Sequence, residues 1–220
     1  MVLTMTDFTS EREAMVERQL RRRGIDESQI LDAFRAVRRE EFVGVEHAHL
    51  AYGDFPLPIE ASQTISQPYI VALMIQAAGV GPGDAVLEVG AGSGYAAAVI
   101  SRIAGTVIGM DRLPDLAAIA RARLRRLGYD NVEIVEGDGT RGYPQRAPFD
   151  AILVAASGSH VPLALIGQLA PDGRLVMPIG EPGGVQELVK VTKQADGILR
   201  QENLGGVRFV PLIGEEGWDE

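Results

Sequence analysis

The sequence predicts an α/β protein with a doubly wound, mostly parallel sheet and an N-terminal helical extension. Short apolar runs alternate with helical patterns from Asp84 onward, and this alternation indicates a parallel sheet covered by helices on both faces. Glycines follow the first apolar run, as they do where a strand turns sharply into a helix. The expected strands lie near residues 85–89, 106–110, 132–136, 150–154 and 173–179, and the expected helices near residues 94–103, 114–127 and 161–170.

Two helices are predicted ahead of the sheet. Ser10 and Glu13 form a capping-box pattern, which starts a helix that runs to Arg22 and stops at Gly24. Residues 26–29 repeat this pattern. The second helix carries apolar side chains at helical spacing on one face, which we expect to pack on the main domain: Ile30, Leu31, Phe34 and Val37.

The segment from Tyr52 to Tyr69 has no periodicity and predicts an extended loop. Its prolines support this prediction, because each disfavours helix for the residue before it. Pro68 suits the first position of the next helix, which we expect Gly79 to end. A long loop inside a compact domain is often functional.

Two further strands are predicted near the C-terminus, over residues 186–192 and 207–212, around a turn at Asp196-Gly197. The acidic tail that follows, residues 215–220, has no assigned use. Disorder is expected for such an end.

The size and composition of the chain fit one structural domain overall, since 220 residues with 46% hydrophobic content are ample for a core. We divide it into residues 1–83, the N-terminal helices and long loop packed on the core, and residues 84–220, the core that carries the glycine-rich turn. The net charge is −9 and the lysines are Lys190 and Lys193 alone. The chain has no lysine-rich tract that could bind along a phosphate backbone, so nucleic acid is not an expected partner.

The sequence also bears on the compartment and on metals. Cysteine is absent, which excludes disulfides and fits a reducing cytosol. The first residues lack the pattern of a signal peptide, and no apolar run approaches the roughly 20 residues of a membrane span. We therefore expect a cytoplasmic protein with no membrane partner. We also expect a monomer and no metal site.

The turn after the first predicted strand has the composition of a ligand site. Gly90, Gly92 and Gly94 let the backbone turn tightly and approach a ligand where a Cβ would collide. A dinucleotide site would need its third glycine where Tyr95 stands. Glu88 precedes the turn, and its charge would repel a pyrophosphate but suit a cationic ligand.

Acidic residues also follow the next two strands. Asp111 lies where a partner of a ribose 2′-hydroxyl is expected, about 20 residues after the glycines. Asp138 and Gly139 follow the third strand. Alternatively, these acids only end strands or cap the following helices. Three acids at successive strand ends behind one glycine turn favour a shared ligand site.

The Glu-x-Gly-x-Gly-x-Gly pattern resembles the first motif of class I S-adenosylmethionine (SAM) methyltransferases, whose cofactor carries a sulfonium and an ammonium. The resemblance implies a Rossmann-like α/β/α sandwich, with residues 84–220 as its SAM-binding core. It places an adenine contact at residues 137–139. The implied cofactor-binding residues are Glu88, Gly90, Gly92, Gly94, Asp111, Asp138 and Gly139.

The long loop narrows the resemblance to one family. Asp54-x-Pro-Leu-Pro-Ile59 followed by Gln63-Thr-Ile-Ser-Gln-Pro-Tyr69 is similar to the signature of protein-L-isoaspartate (D-aspartate) O-methyltransferases. This resemblance implies methyl transfer from SAM, with S-adenosyl-L-homocysteine as the product, to the free α-carboxylate of L-isoaspartyl and possibly D-aspartyl residues in damaged proteins. It implies that Ser66 is the active-site residue, that Thr64 and Ile65 line the acceptor site, and that Gln186 lies near it.

The implied chemistry needs no general base, because the acceptor carboxylate is already ionised at neutral pH. Catalysis then depends on alignment of the reacting atoms and exclusion of water. Our hypothesis is that the Ser66 hydroxyl and nearby backbone amides donate hydrogen bonds to the acceptor. Alternatively, Ser66 is a helix-start serine that satisfies backbone donors before Pro68.

Some positions depart from the family pattern of Ile-Gly-x-Gly-Gln, where this chain has Ile59-Glu60-Ala61-Ser62-Gln63. Glu60 would weaken the binding of an acceptor carboxylate unless it points outward. His160 is expected to have a capping or surface role, because carboxyl methylation needs no base. The remaining alternatives are a SAM-dependent methyltransferase acting on a different carboxylate or small acceptor, and a non-catalytic SAM-binding module.

Overall fold

The computed structural model describes residues 7–219. The α-helices are α1 Thr9–Met15, α2 Ser28–Ala36, α3 Pro68–Ala78, α4 Tyr95–Ile100, α5 Pro114–Arg126 and α6 Leu163–Gly167. The strands are β1 Leu57–Pro58, β2 Thr64–Ile65, β3 Ala85–Val89, β4 Thr106–Asp111, β5 Val132–Glu136, β6 Phe149–Val154, β7 Leu169–Ile179, β8 Gln186–Lys193 and β9 Leu199–Val207. Helix α1 continues through a π-helical turn, Val16–Leu20, and a 3₁₀ turn, Arg21–Arg23.

Seven strands form one sheet in the order β5-β4-β3-β6-β7-β8-β9. The first five strands of the set pair in parallel, and β8 and β9 are antiparallel. Strands β4 and β5 extend from one side of β3, whereas β6 lies on its other side. This reversal of strand order opens a crevice at the carboxyl ends of β3 and β6, where open α/β sheets bind ligands. The predicted fold class is confirmed.

Apolar side chains pack in two clusters, and the N-terminal helices belong to the larger one. Phe34 and Phe42 pack edge-on against Tyr95, with ring centroids 6.2 and 5.5 Å apart from it. The guanidinium of buried Arg39 lies 4.7 Å from the centroid of the same ring and donates through Nε to the carbonyl of Ala51. The extension therefore packs against the first turn of α4, the helix that follows the glycines.

The predicted apolar face of α2 is confirmed, but both capping boxes are wrong. Helix α1 begins at Thr9, because Asp7 Oδ1 accepts the Thr9 N–H at 3.0 Å and leaves Ser10 inside the helix. Helix α2 begins at Ser28, and Glu27 at its N-cap makes no side-chain capping bond.

Pro68 at the start of α3 and left-handed Gly79 at its end are as predicted. The predicted loop before it also forms a short antiparallel pair, with Leu57 opposite Ile65 and Pro58 opposite Thr64.

The C-terminal predictions need correction. The last strand covers residues 199–207 and not 207–212. The turn at Asp196-Gly197 is confirmed, with Gly197 at φ 85°. Residues 208–219 form an ordered segment that we call the C-terminal strap, so the expected disorder is wrong as far as residue 219. Trp218 Nε1 donates to the carbonyl of Ser157 at 2.8 Å and fastens the strap to the segment that follows β6. Glu220 lies outside the described residues.

No helix within residues 7–219 combines the length and apolar character that crossing a membrane requires.

Candidate active site

A cavity of about 270 Å³ lies at the carboxyl ends of β3, β4 and β6. Its lining brings together segments that are distant in sequence. They include residues 62–66, the turn after β3, residues 110–113 after β4, residues 153 and 155–156 at the end of β6, and residues 210–213 of the C-terminal strap. The cavity therefore lies between the long loop and the glycines, in the crevice that the sheet topology opens.

Gly90 and Gly92 line this cavity, and the glycines after β3 adopt conformations that residues with a Cβ disfavour. Gly90, Gly92 and Gly94 have φ of 84°, 54° and 86°, all in the left-handed region. The amides of Gly90 and Ala91 both donate to the carbonyl of Met110 at 2.9 Å. We call residues 90–94 the glycine turn. Gly94 does not itself line the cavity.

Glu88 lines the cavity and is 2% exposed. Its Oε2 atom has no hydrogen-bond partner among the described residues. Burial, and then the nearby charge of Asp111, raise the pKa of this carboxyl to about 8, although a backbone hydrogen bond from Ala97 opposes the shift. A buried acceptor without a donor fits a ligand that brings a positive charge or an N–H group.

Asp111 is buried at the end of β4 and also lines the cavity. One oxygen accepts the Gly92 N–H at 2.8 Å, and the other accepts the Leu113 N–H at 3.0 Å. The carboxylate therefore fixes the glycine turn, and its remaining lone pairs are available to a hydroxyl donor.

Asp138 does not line the cavity, whereas Gly139 does. The Asp138 carboxylate caps the turn that follows it by accepting the Thr140 N–H at 2.9 Å, and it accepts the Glu215 N–H of the strap at 2.9 Å. Burial raises the pKa of this carboxyl, but the hydrogen bonds from Glu215 and Thr140 lower it by more, so the pKa lies below its ordinary value. The capping alternative accounts for the position of Asp138. A Cβ at Gly139 would collide with Val89, so this position needs glycine.

Ser66, Thr64 and Ile65 line the opposite side of the cavity. The Ser66 hydroxyl makes no hydrogen bond to another residue in the described part of the chain. Gln67 is the N-cap of α3, and no side chain caps that helix. The helix-start alternative for Ser66 is therefore not observed, and its hydroxyl is available to a ligand.

Gln186 is 1% exposed and lies outside the cavity lining. Its Oε1 accepts the Phe209 N–H at 2.8 Å, and its Nε2 donates to the carbonyls of Glu181 and Phe209. Gln186 thus fixes the start of the segment 210–213 that walls the cavity. Sequence reasoning missed this wall, because the alternation in residues 207–212 resembles that of a strand.

Glu60 and His160, the two side chains that the sequence left unassigned, both lie outside the cavity lining. Glu60 does not line the cavity and pairs instead with Arg123, with Oε1 at 2.7 Å from Nη2. His160 is exposed, and its Nδ1 lies 2.9 Å from the Ser159 hydroxyl. Within residues 7–219 no cluster of three or more histidine, aspartate or glutamate side chains could hold a metal ion.

Comparison with known proteins agrees with this geometry. Residues 10–217 match the family model described as protein-L-isoaspartate(D-aspartate) O-methyltransferase. The chain is 54% identical over 207 residues to protein-L-isoaspartate O-methyltransferase 2 of Pelobacter propionicus, covering 94% of this chain and 92% of that protein. It is 52% identical over 206 residues to the protein-L-isoaspartate O-methyltransferase of Rhodopseudomonas palustris, covering 94% of each.

Two solved structures are similar over nearly the whole chain. One is a protein-L-isoaspartate O-methyltransferase with a TM-score of 0.83 and 31% sequence identity. The match covers 93% of this chain and 66% of that protein. The other is a Plasmodium falciparum protein described as a protein-L-isoaspartate O-methyltransferase, in complex with S-adenosyl-L-homocysteine. It has a TM-score of 0.78 at 29% identity, over 92% of this chain and 98% of that one. This chain belongs to the protein-L-isoaspartate(D-aspartate) O-methyltransferase family.

Proposed function

We propose that this chain transfers the methyl group of S-adenosyl-L-methionine to the free α-carboxylate of L-isoaspartyl residues in damaged proteins and peptides, which initiates their repair. One observation carries the proposal. A single cavity has the Glu88 Oε2 atom on one side and the Ser66 hydroxyl on the other, and neither atom has a hydrogen-bond partner among residues 7–219. Family membership supports the same reaction.

The cofactor half of the cavity is formed by Glu88, Asp111 and the glycine turn. The unpartnered oxygen of Glu88 suits the ammonium group of S-adenosyl-L-methionine, and Asp111 suits a ribose hydroxyl. Because Gly90 and Gly92 have no side chain, the ligand can approach their backbone closely. When bound, this cofactor would supply a methyl group on a positively charged sulfur. The sulfur leaves readily, because it becomes a neutral thioether.

The acceptor half has only to bind and orient a carboxylate, which is ionised at neutral pH and needs no base. In this proposal the Ser66 hydroxyl donates a hydrogen bond to one acceptor oxygen and leaves the other facing the cofactor. Thr64 and Ile65 form the adjoining wall. Alignment of the reacting atoms supplies most of the rate enhancement.

The C-terminal strap contributes by excluding water from the reacting atoms. Residues 210–213 close one side of the cavity, and the strap is fastened at both ends. Gln186 holds Phe209, and Trp218 bonds to the carbonyl of Ser157. A dry cavity strengthens the interaction between an anionic acceptor and a cationic methyl donor.

We test the function with three peptides that differ at one residue, which is L-isoaspartyl, L-aspartyl or D-aspartyl. Methyl transfer is measured with isotope-labelled S-adenosyl-L-methionine, with added S-adenosyl-L-homocysteine as the inhibition control. The proposal expects rapid methylation of the isoaspartyl peptide, none of the aspartyl peptide, and weaker methylation of the D-aspartyl peptide. Equal labelling of the isoaspartyl and aspartyl peptides, or labelling of neither, would overturn it.

We also propose that the chain acts as a monomer and does not bind nucleic acid. Its net charge of −9 supports the second part of this proposal. Size-exclusion chromatography with light scattering tests the first part, and an elution mass near twice the chain's 23.6 kDa would contradict it.

A further inference from the structure

We infer that Glu60 and Arg123 are positioning residues for the acceptor substrate. Their ion pair holds the acceptor loop, residues 59–66, against the glycine turn, so that the two halves of the cavity keep a fixed relation. The inference rests on the proposed function, because it specifies how the acceptor side of the same cavity is kept in place.

The acceptor loop contains two non-glycine residues in the left-handed region. Ala61 has φ 55° and ψ 31°, and Ser62 has φ 56°. Residues with a Cβ disfavour this region, so neighbouring contacts must hold such residues there. Ser62 lines the cavity at this strained point, and Gln63 lines it immediately afterwards. Relaxation of the strain would therefore move the wall that faces the acceptor.

Local backbone bonds do part of this holding. The Ile59 N–H donates to the carbonyl of Gln63 at 2.9 Å, and the Gln63 N–H donates back to the carbonyl of Glu60 at 3.2 Å. These bonds close the loop on itself but do not tie it to the cofactor side. A contact to another element is needed for that.

Arg123 provides this contact from helix α5. Its Nη2 donates to Glu60 Oε1 at 2.7 Å, and its Nη1 donates to the carbonyl of Ser93 in the glycine turn at 3.0 Å. The Arg123 side chain is 11% exposed and the Glu60 side chain is 36% exposed, so the pair is partly shielded from solvent. One guanidinium thus joins the acceptor loop, the glycine turn and the helix that follows Asp111.

This geometry separates two effects of substitution. Glu60→Gln weakens the link to the acceptor loop but leaves the Arg123 bond to Ser93 in place. Acceptor binding should therefore suffer while cofactor binding does not. A residue that only stabilised the fold would affect both equally.

The experiment compares Glu60→Gln with Glu133→Gln, a matched variant on β5. It weakens the ion pair between Glu133 and Arg146, and neither of these residues lines the cavity. We expect Glu60→Gln to raise the KM for an isoaspartyl peptide about fivefold, with the Kd for S-adenosyl-L-homocysteine within about twofold of wild type. Glu133→Gln should change neither value. Adding Ser62→Gly to Glu60→Gln should restore much of the KM, because glycine adopts φ near 56° without strain.

A second readout is independent of the acceptor. Hydrogen exchange of the Gln63 amide should be faster in Glu60→Gln than in wild type, with the amides of α3 unchanged. An unchanged KM and unchanged Gln63 exchange in Glu60→Gln would overturn the inference, as would equal loss of acceptor and cofactor binding. Failure of Ser62→Gly to restore the KM would overturn the role of strain. Inactivity of the wild-type protein on the isoaspartyl peptide would instead overturn the proposed function, and the exchange measurement would still decide the loop contact.

Discussion

Replacing Glu88 with glutamine should change how the stability of the ligand-free protein depends on pH. The folded-state pKa of Glu88 is raised from 4.5 to about 8 by burial and then by the charge of Asp111. As pH rises above 4.5, the unfolded chain releases this proton whereas the folded protein retains it. Ionisation of Glu88 therefore favours the unfolded state. The contribution of Glu88 to the free energy of unfolding of the wild-type protein falls as the pH rises from 4.5 to about 8, the pKa of Glu88 in the folded protein.

The size of the effect follows from the width of this window. Each pH unit within it is worth about 1.4 kcal/mol. Between pH 5 and pH 7 the free energy of unfolding of Glu88→Gln should therefore rise by roughly 2–3 kcal/mol relative to wild type. Any constant cost of the new amide cancels in this comparison of two pH values.

Urea unfolding at pH 5 and pH 7 measures the effect, and the linear extrapolation is the same for both proteins. Glu133→Gln is the control, because that carboxylate is exposed on β5 and pairs with Arg146. Its difference from wild type should stay constant. Parallel behaviour of Glu88→Gln and wild type at the two pH values would refute the assignment of Glu88 as a protonated, buried acid in the ligand-free protein.

Four further results are expected. The affinity for S-adenosyl-L-homocysteine, measured by calorimetry, should rise by up to about tenfold per pH unit between pH 6 and 8. Glu88 must lose its proton to pair with the ammonium group of this ligand. An affinity that does not change with pH would argue against that pairing. Ser66→Ala should lower kcat by about 10- to 100-fold with unchanged affinity for S-adenosyl-L-homocysteine, and equal loss of both would count against its role. Gly94→Ala should destabilise the protein by about 1–3 kcal/mol in urea unfolding, because φ is 86° and the new Cβ would lie 3.0 Å from Leu124; unchanged stability would refute the argument. Glu216→Ala should cost about 1 kcal/mol in thermal unfolding, because its carboxylate accepts the first backbone N–H groups of α6; an unchanged Tm would show that this cap is not needed.

The parts of the fold that could be predicted from sequence are those that local patterns determine. Apolar runs located the parallel strands, and the glycine spacing identified positions that adopt positive φ. Pro68 and Gly79 marked the ends of α3 because proline and glycine act on the backbone where they stand.

The parts that could not be predicted depend on partners distant in sequence. Asp138 is engaged by the Glu215 amide 77 residues away, and Glu60 by Arg123 63 residues away. The same limit applies to the C-terminal strap, whose Trp218 bonds to a carbonyl 61 residues earlier. A single sequence does not indicate such pairs, so the partners of Asp138 and Glu60 could be identified only from the structure.

The most direct test of the account is a crystal structure of the protein with S-adenosyl-L-homocysteine and an isoaspartyl peptide. We expect the nucleoside in the cavity above the glycine turn, with its amino group at Glu88. We expect one oxygen of the peptide α-carboxylate about 3 Å from the Ser66 hydroxyl and the other facing the sulfur. A nucleoside outside this cavity, or a carboxylate bound away from Ser66, would contradict it.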